Sequence, residues 1–155
     1  MSEVLAKGVF DTLIDALSAL GYTYDVKNAL ALSFTAGGND IPMHFNVTVD
    51  ADKKIVILSS RLPLTVEMAS IEDMAIAVCA ANYSLCDGSF DYFIPNKEIL
   101  FRMTTSYLDS DIGVELLDYM IRCATMTVDR YNDKLLMLSR GLVTLDEFLD
   151  EIGFQ

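Results

Sequence analysis

The feature that most constrains this chain is the order in which its hydrophobic periodicity changes. Apolar residues recur first at helical spacing, then at strand spacing, then return to a helix, a hairpin and a last long helix. Phe10, Leu13, Ile14, Leu17 and Leu20 step by three and four, with Asp11, Asp15 and Ser18 on the other side. Gly21 follows as a stop, so the spacing predicts a helix over 3–20. Leu30, Leu32 and Phe34 then alternate with small residues, and Ala36-Gly-Gly-Asn-Asp40 is a turn cluster. Ile41, Met43, Phe45, Val47 and Val49 alternate with His44, Asn46 and Thr48, the pattern of a strand with one face in a core. After a turn at 50–54, Ile55-Val-Ile-Leu58 is apolar on both faces, which places it inside a sheet. Connections this short allow only an antiparallel meander.

Leu62-Pro63 ends the meander. Ser70 is placed as a helix cap, with Glu72 and Asp73 in the first turn where the helix dipole favours them. From Met74 to Ala81 the helix carries no charge, and a helix apolar all round is buried on more than one side. Met74, Ile76 and Val78 are therefore the candidate partner or homodimer contact; the alternative is an Ala-rich helix wedged inside the monomer. Residues 90–94 and 99–107 read as a hairpin joined by 95–98, with Gly88 marking a bulge or a close approach. Val114, Leu117, Ile121, Ala124, Val128, Tyr131, Leu135 and Leu138 then define a helix over 113–139. At 1.5 Å per residue it spans about 38 Å, against about 25 to 30 Å for the strands. Its end is expected to overhang the sheet or meet a second subunit. Gly141 stops it, Thr144-Leu-Asp-Glu147 is a capping box with Val143 and Phe148 as staple, and a short helix over 145–152 closes the chain. The expected fold is one α+β domain over 1–155. It carries an antiparallel sheet of about five strands, the first and long helices on one face, and the charge-free helix at an edge or dimer contact.

Composition narrows the function. Hydrophobic residues make up 52% of 155, too many for a disordered chain. The net charge is −12, from 23 acidic and 11 basic residues, and only Lys53 and Lys54 adjoin. Phosphate backbones and anionic membranes need clustered Lys and Arg, so neither is an expected partner. The acidic balance serves solubility or attracts a basic or aggregation-prone protein. The charge-free run between Asp73 and Asp87 is thirteen residues, too short to span a bilayer. The start, MSEVLAKGVFDTL, lacks the character of a signal peptide, so a cytoplasmic location is expected and the sequons at Asn46 and Asn82 are read as chance. Cys79, Cys86 and Cys123 form no C-x-x-C pair and are expected as buried free thiols.

No catalytic constellation is visible. His44 is the single histidine and falls on the polar side of its strand, leaving no triad and no zinc set. Asp109-Ser-Asp111-Ile-Gly113 resembles the start of a calcium loop, but its glycine is one place early and no Glu follows at the twelfth position. Capping the long helix is the expected role. Asp87, Asp91 and Glu98 flank the hairpin without apolar surroundings that would raise a pKa. No catalytic residue, metal ligand or cofactor is therefore assigned. The eight methionines suit core filling or an adaptable binding surface.

The chain also resembles a known family. Leu20-Gly-Tyr22, Leu62-Pro63, Asn82 with Asp87-Gly-Ser-Phe90, Ile99-Leu-Phe-Arg102 and Asp129-Arg-Tyr131 are similar to the pattern of the YbjN-like proteins. Their fold is similar to the class I chaperones of type III secretion. The resemblance implies a non-enzymatic, often dimeric protein, sometimes described as a sensory or regulatory factor, with no catalytic residues to carry over. The extra helix after Gly141 departs from the shorter versions of that pattern. The expectation is a cytoplasmic protein-binding module of chaperone-like or regulatory character, a homodimer in solution. A second hypothesis is a small-ligand sensor with a pocket between the long helix and the sheet, lined by Phe45, Phe101, Met120 and Tyr131. A third is an enzyme using acidic residues and a metal.

Overall fold

A computed structural model describes residues 1–154. Helix α1 (Ser2–Ala19) is followed by strands β1 (Tyr24–Asn28), β2 (Ala31–Ala36), β3 (Met43–Asp50) and β4 (Ile55–Arg61). Then come helix α2 (Ile71–Tyr83), strands β5 (Ser89–Phe93) and β6 (Glu98–Ser106), and helices α3 (Val114–Ser139) and α4 (Leu145–Glu151). The sheet has six antiparallel strands in the order β1-β2-β3-β4-β6-β5. The expected count was five. The addition is β1, whose side chains beyond Tyr24 are all exposed, so it carries no strong alternation of burial.

The residues facing inward from the strands are Leu32, Phe34, Phe45, Val47, Val56, Leu58, Phe101 and Met103, all buried. They meet α1 through Val9, Phe10, Leu13 and Leu17, and α3 through Leu117, Ile121, Val128 and Leu135, all within one core. Among the described residues, no helix covers the other side of the sheet. Thr35, His44, Asn46, Thr48, Arg102 and Thr104 stand exposed there. β4 lies inside the sheet, as its two-sided apolar character predicts. Ile55 and Ile57 remain half-buried on the open side.

α3 is longer than the sheet is wide, but its overhang is met by this chain rather than left free. The N–H groups of Glu67 and Met68 donate to Ser139 O at 3.3 and 3.0 Å, and α4 packs against α3. Asp129 on α3 ties down the β2–β3 loop. Its carboxylate accepts from Asn39 N at 2.8 Å and Asn39 Nδ2 at 2.7 Å. α4 carries the expected capping box: Thr144 Oγ1 accepts from Glu147 N, and Glu147 accepts from Thr144 N. The expected caps of α3 are absent. Its N-cap is Gly113, with no side-chain bond, and Asp109 pairs with Lys54 instead. Gly88 marks a close approach, not a bulge. The β5–β6 register is continuous, and a Cβ at Gly88 would stand 2.5 Å from Phe101 Cζ.

Candidate interaction surface

α2 has two apolar faces, and the fold uses one. Ser70 Oγ caps it by accepting from Asp73 N at 3.0 Å. Met74, Ala77, Val78 and Ala81 recur at helical spacing and are buried against β5, α3 and α4. Rotated away from them lie Ile76, Cys79 and Tyr83, again three and four apart, and all exposed. Ile76 keeps 48% of its surface and Tyr83 82%, while Phe154 closes edge-on to Tyr83 at 5.7 Å between ring centres. Met68, just ahead of α2 in the chain, is also exposed.

Thus Met74, Ile76 and Val78 do not form one patch. Met74 and Val78 belong to the monomer's own core, and only Ile76 faces solvent. A period of 3.6 separates residue 76 from 74 and 78 by about half a turn. The same spacing groups Ile76, Cys79 and Tyr83, so the outer stripe was available from the sequence. The cysteines correct the expectation of burial: Cys79 and Cys86 are exposed and Cys123 is half-buried, all as free thiols. Cys79 is exposed because it lies on that outer stripe.

α2 is fixed to the sheet by one amide. Asn82 Nδ2 donates to Phe90 O at 2.8 Å, and Phe90 N donates to Asn82 Oδ1 at 2.7 Å. These are the two groups that a further strand would engage at this edge. A side-chain amide completes the ladder at Phe90, and α2 lies over β5.

The four residues expected to line a ligand pocket are fully buried: Phe45, Phe101, Met120 and Tyr131. The three aromatic ones divide between two ring groups. Phe45 stacks on Phe34 at 5.0 Å, whereas Phe101 and Tyr131 both meet Phe90, at 5.3 and 5.5 Å. The surface hollows lie elsewhere. One is bounded by Arg61, Leu64, Glu67, Leu136 and Arg140, and another by Met1, Leu5, Lys54 and Asp109.

The hairpin carboxylates are each occupied separately. Asp91 pairs with Arg102 at 2.9 Å, Glu98 pairs with Arg61, and Asp87 accepts from the Tyr119 hydroxyl. That donation, with lesser contributions from burial and Cys123, pushes the Tyr119 phenol up to about 12, so it is a protonated donor at neutral pH. His44 is exposed, 3.3 Å through Nδ1 from Thr35 Oγ1. No group of three or more His, Cys, Asp or Glu side chains converges on a common point among the described residues. None of the described helices is long and apolar enough to cross a membrane.

Comparison with known proteins places these features in context. The family model YbjN, described as "Putative bacterial sensory transduction regulator", matches residues 10–137. That span contains the whole sheet and α2 and ends before α4. Among solved structures, the chain is similar to YbjN of E. coli, described as "a putative transcription regulator". The two share 16% identity at a TM-score of 0.56, over 81% of this chain and 93% of that one. No curated protein matches.

Proposed function

The chain belongs to the YbjN family, and on that premise we propose that it is a non-enzymatic regulator in the bacterial cytoplasm that acts by binding another protein. The outer stripe of α2 is the contact. One observation carries this reading: Ile76, Cys79 and Tyr83 form an apolar row that the fold leaves in water, although the helix bearing it is held rigidly from behind. Large apolar side chains grouped on one exposed row mark protein contacts more often than isolated ones do. A stripe at this spacing on a preordered helix offers anchors without a further ordering cost. The buried core supports the same reading, because the aromatic residues that could have lined a ligand pocket pack on one another.

The test is affinity capture from bacterial cytosol with Ile76→Glu and Tyr83→Glu alongside the unaltered protein. Both variants are expected to keep the fold and to lose one specific co-purifying protein. Identical capture profiles from all three would refute the α2 assignment.

A further inference from the structure

Residues 143–154 close their backbone hydrogen bonds on themselves. Thr144 and Glu147 bond each other at the start of α4, and Phe148 N and Ile152 N donate to Thr144 O and Phe148 O. At the far end, Gly153 N and Phe154 N donate to Asp150 O and Leu149 O. Among the described residues, no backbone-to-backbone hydrogen bond joins this segment to the rest of the chain. Side chains hold it instead. Phe148 is fully buried and Ile152 nearly so, one turn apart, and Lys134 Nζ on α3 lies 3.9 Å from the Glu151 carboxylate. The seat beneath is built by α2 and α3. Both of those helices begin inside the family span of 10–137, whereas α4 lies wholly beyond it.

The segment is also poorly stabilised by itself. A helix of seven residues is too short to persist in water without packing. Its exposed surface carries one sign of charge, from Asp146, Glu147, Asp150 and Glu151. Asp146 and Asp150, like Glu147 and Glu151, stand four apart, where like charges oppose a helix. Gly141, at φ +68°, turns the chain away from α3. Lifting α4 about that turn therefore breaks none of its backbone hydrogen bonds and uncovers apolar ground on α2 and α3.

We propose that this α2–α3 seat is a binding site for an amphipathic helix of another protein, and that α4 fills it until that helix displaces it. The present occupant supplies the spacing: large apolar residues at i and i+4, where Phe148 and Ile152 stand, flanked by the half-buried Leu145 and Leu149. Charge supplies the rest. A helix with a basic outer face is drawn to a chain of net charge −12, while α4 adds carboxylates to the same surface. A tethered occupant competes at high effective concentration, so the incoming helix binds weakly until α4 is loosened. Ile76 stays exposed with α4 in place, and the inference does not depend on the outer-row contact.

Two synthetic peptides serve as probes. One has the sequence of residues 143–155. The other carries Asp146→Lys, Asp150→Lys and Glu151→Lys, with Glu147 kept for the capping box. Each is titrated by fluorescence anisotropy against the full chain and its Phe148→Ala and Ile152→Ala variants. The basic peptide is expected to bind more tightly than the acidic one. It should bind Phe148→Ala on the order of tenfold or more tighter than the unaltered chain, with Ile152→Ala shifted less in the same direction. A basic peptide that itself carries Phe148→Ala should not bind. Amide exchange should show α4 unprotected in Phe148→Ala while β3 and β6 keep their protection. The chain with Ile76→Glu should bind like the unaltered one, which separates this seat from the outer row. Loss of sheet protection in both chain variants would make α4 an integral part of the core and overturn the proposal. So would equal affinity for all three chains, binding that survives Phe148→Ala in the peptide, or binding abolished by Ile76→Glu.

Discussion

The two edges of the sheet face the same problem and solve it by different means. At β5, an element from elsewhere in the chain is brought over the edge, and the Asn82 amide stands in for a neighbouring strand. At β1 the devices are local: the ladder to β2 shifts by one residue between Val26 and Asn28, and Leu30 N donates to Asn28 Oδ1 at 2.9 Å. A sealed edge contributes to the stability of the monomer. An edge finished only locally contributes less. The comparison teaches that one edge is finished by an element from elsewhere in the chain and the other only by its own local geometry.

Five measurements sharpen or break that contrast, beginning with the largest effect. Val78→Glu buries a carboxylate in the α2 seat and should cost about 4 kcal/mol or more in denaturant unfolding. Ile76→Glu, two residues away on the outer stripe, should stay within about 0.5 kcal/mol. Equal losses would mean that α2 has no free face. Asn82→Ala leaves the Phe90 N–H and C=O without their partner at a buried residue, for a loss of about 2 to 4 kcal/mol. Its counterpart Asn28→Ala removes one exposed bond and should cost less than about 1 kcal/mol. Native-state amide exchange gives the same contrast without substitution, with Phe90 N–H protected far longer than the amides of β1.

Much of this arrangement was legible from residue order. β3 could be read directly because its alternation persists for eight residues, and the capping box of α4 because four residues specify it. β1 was not legible: Tyr24 and Val26 alternate with Asp25 and Lys27, but over too few positions and with too little burial to stand out. α2 shows a different difficulty. Freedom from charge established that the helix was apolar all round, but not which side the monomer would use. That depends on where Asn82 anchors its end. The expected caps at Asp109 and Asp111 failed because the nearby Lys54 offers Asp109 a charged partner.

Two smaller effects concern the sealed half. The Tyr131 hydroxyl is buried without a hydrogen-bond partner among the described residues, so Tyr131→Phe should be neutral or stabilising by up to about 1 kcal/mol in thermal melts. A clear loss would show that the hydroxyl has a role beyond packing. Glu147 is held below its ordinary carboxylate value of 4.5, first by the Thr144 N–H and then by the Thr144 side chain. A depressed pKa means the stabilising contribution is complete above the unfolded value and disappears as pH falls through the folded one. The start of α4 should therefore fray first in acid, below about pH 4.5, read as faster exchange at the Thr144 and Glu147 amides. No such change is expected in Glu147→Gln, where the titrating group is gone.

The bond pair between Asp129 and Asn39 has a mechanical consequence. It bolts the tip of the β2–β3 loop to the middle of a helix whose far end holds the 67–68 segment just ahead of α2. A ligand that turned that helix by a fraction of a revolution would have to pull the loop along or shear both bonds. Displacement at one extremity of the molecule would then be felt at the other as leverage, with the long helix as the crankshaft.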